Sequence, residues 1–340
     1  MKKKRIAVLL AGMLLLALLS SCSRQPQEAQ EPEEKIPDVR ETRVGFYLDT
    51  VITLTAYTDH PEWLEEGLKT CGEYEQLLSR TIEGSDVWKL NHAEGEPVTV
   101  SEATAEILRE AIRIGKLSDG AFDVTIAPAS TLWDFTSGEG KVPDAAALAA
   151  AAGKIDYRRI QMEGRQVILP AGMMIDLGGI AKGYIADAVK KELEEKGIRS
   201  AILSFGGNIV AIGRKPDGSP WRVGIQDIDA PAGTSMLVSI NTGGSTVTSG
   251  IYERGFEADG VYYHHILSAE TGWPVQNELA SVTIFSENSM TGDALATAVF
   301  ALGSEKGAAL IETMDGIEAV LISRDRSVRY TSGAKAYMSE

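Results

Sequence analysis

The order of strand-like and helix-like segments most limits what this chain can fold into. Residues 43–57, 166–170, 173–177, 201–205, 221–226, 236–241, 246–249, 280–285, 318–323 and 328–331 read as strands. They are alternating or rich in β-branched residues, which suits a pleated surface with one buried face. Residues 61–78, 101–118, 143–152, 180–196, 290–302 and 305–313 read as helices, with Ser101 as a cap and Gly197 and Gly303 as terminators. Residues 85–91 read as a turn and short segment. Strands come in runs with helices grouped between them, so the expected class is α+β with mostly antiparallel sheets, not doubly wound α/β.

The N-terminus sets the boundaries. Lys2, Lys3, Lys4 and Arg5 precede an apolar stretch at 6–19 and then Leu19-Ser20-Ser21-Cys22. This is the signal-peptide pattern, and a Cys after small residues resembles a bacterial lipobox. The apolar stretch falls short of the roughly 20 residues that a membrane span needs. Residues 1–21 are therefore expected to be a lipoprotein signal peptide, with an uncleaved anchor as the alternative. Residues 22–42 would be a disordered Gln/Glu/Pro-rich tether starting at lipidated Cys22, and 43–335 the functional domain. A cell-membrane protein on the extracytoplasmic face follows. The other cysteine, Cys71, then has no disulfide partner and reads as a core residue.

The formal charge is −15 and becomes −19 once the four cations before residue 22 are removed. Such a chain is a poor nucleic-acid binder. A polyphosphate ligand would need local neutralisation by a metal, by Lys or by backbone N–H groups.

Three stretches carry candidate chemistry. In residues 174–184 an apolar segment meets Gly178-Gly179 and then a helix, so backbone N–H groups could face a phosphate. Lys182 would add positive charge and Asp176 an acceptor; a tight turn with ordinary caps is the alternative. In residues 291–300, Thr291 reads as an N-cap, and Asp293 and Thr297 share one helix face. Together they offer two hard oxygens suited to Mg²⁺. Asp293 reads as lying at a helix start, outside the core stripe. The alternative is that it only complements the helix dipole. In residues 262–274, His264 and His265 are adjacent on a strand and point to opposite faces, so one is expected at a site, as a general base, and the other in solvent.

Together these stretches resemble the ApbE family, the FAD:protein FMN transferases. The resemblance runs from about Val44 to Ser332 and rests on five ordered segments: Ala121-Phe122-Asp123-Val124-Thr125-Ile126-Ala127-Pro128, Asp176-Leu177-Gly178-Gly179-Ile180-Ala181-Lys182-Gly183, Phe205-Gly206-Gly207-Asn208-Ile209, His265-Ile266-Leu267 with Thr271-Gly272, and Asp293-Ala294-Leu295-Ala296-Thr297-Ala298. It implies an ApbE-like, T-fold-related architecture and Mg²⁺-dependent transfer of FMN from FAD to a Ser or Thr hydroxyl of a target protein, with release of AMP. It implies Mg²⁺ ligation by the Gly179 carbonyl, Asp293 and Thr297. It places Leu48, Thr81, Ala121, Phe122, Asp123, Asp176, Lys182 and Ile266 around FAD, with His265 as base beside catalytic Asp293. The acceptor would be an extracytoplasmic redox subunit carrying a Ser/Thr flavinylation motif. Three departures stand out: Leu48-Asp49-Thr50 where relatives read Met-Gly-Thr, Ser268-Ala269 where they read Asp-Pro, and Thr81 where an aromatic is frequent. A weaker flavin platform leaves two alternatives, an FAD pyrophosphatase giving FMN and AMP, or a flavin-binding lipoprotein without catalysis. Thr331-Ser332-Gly333-Ala334-Lys335 superficially resembles a flavin acceptor sequence but is expected to be a frayed tail.

Overall fold

Eight antiparallel strands form the centre of the molecule, and they lie across the sheet in chain order. They are β1 (Arg40–Tyr47), β2 (Thr50–Tyr57), β3 (Ala201–Phe205), β4 (Asn208–Ile212), β5 (Ser245–Gly250), β6 (Leu279–Ser286), β7 (Glu318–Ser323) and β8 (Val328–Tyr330). The structure is a computed structural model that describes residues 36–135, 140–231 and 233–339. Cys22, the expected signal peptide and most of the expected tether lie outside the described residues. Three residues of that tether, Arg40 to Thr42, already belong to β1. No helix among the described residues is long and apolar enough to cross a membrane.

Strand register explains the core. Ile52, Phe205, Asn208, Val247, Ile284 and Ala319 pair successively across β2 to β7. All are buried, and Asn208 is the one polar member. The helices α1 (Glu62–Leu78), α2 (Glu102–Leu117), α3 (Ala181–Glu195) and α4 (Ser289–Leu302) join this core. Helix α4 is apolar on almost every side and packs against β5, β6 and α3, as an all-round apolar helix must. On the opposite face, Phe285, Val320 and Ile322 are covered by Ile225 and by the C-terminal Tyr337 and Met338.

The expected α+β antiparallel architecture is what the chain adopts, with local differences. Residues 43–57 are a hairpin and not one strand, because Leu48 and Asp49 both take positive φ, 56° and 53°, and reverse the chain. Residues 173–177 keep the buried alternation of a strand but join no ladder. The Asn91 side chain instead bonds both the N–H and the C=O of Ile175, at 2.7 and 2.9 Å. Strand β4 and Gly255–Ala258 are additional to the expected strands; Gly255–Ala258 pairs with Val261–His264, so the strand expected at the two histidines ends at His264. Asn288, not Thr291, caps α4, and the Thr291 hydroxyl donates to Glu110 at 2.7 Å. The expected frayed tail is docked: Thr331 is 2% exposed and accepts the Ala319 N–H, and Ala334 is buried. Cys71 is a core thiol, pushed up to about 12 by burial.

Candidate active site

A buried carboxylate inside an apolar helix needs partners, and Asp293 has them. It lies within α4 and is 3% exposed, so it is a core residue, contrary to the expectation. Its Oδ2 accepts the Gly183 N–H at 3.0 Å and its Oδ1 lies 3.7 Å from Lys182 Nζ. Gly183 is required by the helix crossing. A Cβ there would stand 2.3 Å from the Ser289 carbonyl oxygen, so only glycine lets α3 and α4 approach this closely.

The crossing brings the expected ligands together. A Cβ built on Gly179 would lie 3.4 Å from Thr297 Oγ1 and 3.2 Å from Phe122 Cε2. Gly179 thus sits between the Phe122 ring and the Thr297 hydroxyl. Lys182 Nζ donates to the Gly178 carbonyl at 2.9 Å and stays beside Asp293. Asp176 closes the turn by accepting the Gly178 N–H at 2.9 Å; its other oxygen accepts the Ser130 hydroxyl and pairs with Arg80, each at 3.2 Å. The expected acceptor is therefore already partnered. Arg80 places its neighbour Thr81 at the rim, where Thr81 is exposed and hydrogen-bonded to Ser79 Oγ.

Other residues expected around FAD also hold the local fold. Asp123 accepts the Thr125 N–H and hydroxyl on one oxygen and the Tyr157 N–H on the other, and burial raises its carboxyl above the usual range. Phe122 is buried, and the adjoining Ala121 is partly exposed. The Ile266 side chain packs in the main core, so only its backbone is free of that role. Leu48 forms the β1–β2 turn, and its N–H donates to Glu75 at 2.7 Å.

One histidine differs from expectation: His264, the one left for solvent, has no exposed surface. His264 is fully buried; its Nε2 donates to the Val275 carbonyl at 3.0 Å while Nδ1 accepts the Ile266 N–H. His265 is half-buried, and its Nδ1 bonds the Arg254 carbonyl at 3.2 Å. That carbonyl fixes Nδ1 as the protonated nitrogen and leaves Nε2 as the ring's acceptor. Burial, aided by Arg254 and Lys182, lowers His265 to about 4. Arg254, absent from the expected residues, also donates to the Asp49 carbonyl at 3.1 Å and so ties the β1–β2 turn to His265. Only the hairpin register, with Gly255 opposite His264, places Arg254 opposite His265.

The ApbE family model matches residues 48–321. The chain belongs to the ApbE family. It is 36% identical over 322 residues to the FAD:protein FMN transferase of Treponema pallidum, covering 87% of this chain and 88% of that one. It is 31% identical to the FAD:protein FMN transferase of Vibrio cholerae, over 97% and 96% of the two chains. Among solved structures, the ApbE protein from Thermotoga maritima superposes with a TM-score of 0.82 at 29% identity, covering 89% of this chain and all of that one. The flavin transferase ApbE from Vibrio cholerae gives 0.79 at 28%, over 88% and 99%. The family's ordered segments thus fall on the glycine turn, the α3–α4 crossing and the His265 hairpin described above.

Proposed function

We propose that this chain transfers FMN from FAD to a Ser or Thr hydroxyl of another protein, with AMP as the leaving product. The observation that carries this is the α3–α4 crossing, which gathers Gly179, Lys182, Asp293 and Thr297 within reach of one ligand. In the reaction the acceptor oxygen forms a bond to the FMN phosphorus, the bond from that phosphorus to the bridging oxygen breaks, and AMP keeps that oxygen. His265 Nε2 takes the hydroxyl proton, since its ring is neutral at pH 7 and its tautomer is fixed. Lys182 faces the charge that builds on the phosphates, and Asp293 and the Gly178 carbonyl hold it there. Positioning and charge neutralisation are what phosphoryl transfer asks of a protein.

The donor set fits Mg²⁺. Asp293, the Thr297 hydroxyl and the Gly179 carbonyl are all hard oxygens, and among the described residues Thr297 Oγ1 makes only a 3.5 Å hydrogen bond, to the Asp293 carbonyl of its own helix. Bound there, the cation would offset phosphate charge and polarise the pyrophosphate. The remainder of the proposal concerns place: Cys22 carries lipid, residues after it tether the domain, and the extracytoplasmic face of the membrane supplies a redox protein as acceptor.

The experiment incubates the chain with FAD, Mg²⁺ and candidate extracytoplasmic acceptors, then looks for fluorescent protein on a denaturing gel and for AMP. Labelled acceptor with equimolar AMP is expected. AMP at the same rate with acceptor omitted would replace transfer by hydrolysis, a reading that exposed Thr81 favours by offering no aromatic platform. Tight FAD binding without AMP would leave a binding protein only.

A further inference from the structure

A cavity of about 630 Å³ lies on the sheet face turned away from α3 and α4. Its floor includes Ile202, Ile209 and Thr248 of β3, β4 and β5. Its wall is the strand Trp221–Gln226, which pairs with Ser235–Asn241 along one edge only. Arg222, Val223 and Gly224 line the cavity in succession. Side chains of a strand alternate, so three consecutive residues can line one space only if the backbone edge also borders it. Among the described residues no strand pairs with that edge, so its N–H and C=O groups are on offer to an extended peptide.

Gly207 and Glu253 line one end of the cavity. A Cβ on Gly207 would lie 2.5 Å from the Thr248 carbonyl oxygen and 2.8 Å from Glu253 Oε1, so only glycine lets Glu253 and β5 close against this end of β3 and β4. Glu253 feels both Lys182 and Asp293, and Arg254 beside it holds His265. The dinucleotide residues Phe122, Asp176 and Gly179 belong to the helix side. Arg222 is exposed and has no ion-pair partner among the described residues, in a chain of net charge −15. A partner segment carrying a carboxylate would meet it favourably.

We propose that this cavity seats an extended segment of the acceptor protein, which adds to the free edge of Trp221–Gln226, meets Arg222 with an acidic side chain, and delivers its hydroxyl past Glu253 and Arg254 to His265. The proposal rests on the transferase reading. The probe is a soluble acceptor domain that the wild-type chain labels, so a chain that labels nothing would fail the earlier reading and not this one alone. Arg222→Glu alters an exposed side chain; Ile209→Trp fills the floor. Each should raise KM for the acceptor at least about tenfold and leave FAD affinity and thermal midpoint as in wild type. Unchanged acceptor KM in Arg222→Glu, with Ile209→Trp folded and equally unaffected, would overturn the proposal. Parallel loss of FAD affinity in both would also overturn it, by making the cavity part of the dinucleotide site.

Discussion

His265 and Asp293 are both ionisable side chains, and each is held by the groups packed around it. His265 keeps its neutral form because charging it would place a cation among Arg254 and Lys182 in a poorly solvated spot. The ring titrates near 4, so transfer should stay level from pH 8 to 6 and fall only as pH approaches that value. A histidine at its ordinary value near 6.5 would lose about three-quarters of its basic form by pH 6. An initial-rate profile with saturating FAD decides between the two, and an acid limb near pH 6.5 would remove His265 as the base. Asp293 faces the Lys182 ammonium and accepts the Gly183 N–H. Asp293→Ala leaves the buried Gly183 N–H without its acceptor and Lys182 without its nearby carboxylate, and should cost about 1–3 kcal/mol as well as turnover. Asp293→Asn can still accept the Gly183 N–H, so it should keep most of the stability while losing most activity. Denaturant midpoints beside AMP release measure both; equal midpoints for the two variants would mean the carboxylate has no structural part.

At the scale of elements, the site is a product of how closely two helices cross. Gly183→Ala would push a methyl into the Ser289 carbonyl and part α3 from α4. Overpacking of this kind costs typically about 1–3 kcal/mol, and it would also separate Gly179 from Thr297. Turnover is expected to fall at least about tenfold, a rise of about 1.4 kcal/mol in the barrier, measured with FAD and acceptor saturating; wild-type turnover would mean the crossing does not set the ligand geometry. Sequence reading found α3, α4 and their polar residues because helical periodicity and glycine punctuation are local signals. It also found Cys71 in the core, from the stripe in α1. It could not find Arg254 or Asn91. Their roles depend on a hairpin register and on a side chain bridging 84 residues to Ile175, and neither leaves a periodic trace. The sequence places Asp293 outside the core stripe because a carboxylate one turn into a helix usually faces water. Here α4 is enclosed by sheet and helices, and only tertiary packing reveals that.

The whole molecule is a meander whose eight strands follow chain order, interrupted by insertions that carry function. The α1–α3 region enters between β2 and β3, the cavity wall between β4 and β5, and the His265 hairpin between β5 and β6. Each insertion returns to the sheet beside where it left, so residues as distant in sequence as Asp49 and Arg254 meet at one end of it. Charge acts at this same scale. A chain at −15 repels a dinucleotide, and that repulsion extends over a Debye length of about 10 Å at 0.1 M salt. With the cation chelated, raising NaCl from about 0.05 to 0.5 M should screen the repulsion and tighten FAD binding by about two- to fivefold. With Mg²⁺ saturating, the dominant interaction becomes attraction between the FAD phosphates and the cation with Lys182, so the same salt should weaken binding. The two salt slopes therefore have opposite signs, and flavin fluorescence titration in EDTA and in Mg²⁺ measures both. Slopes of the same sign would mean that FAD meets no bound cation in this protein, and that Lys182 and backbone N–H groups alone hold the pyrophosphate.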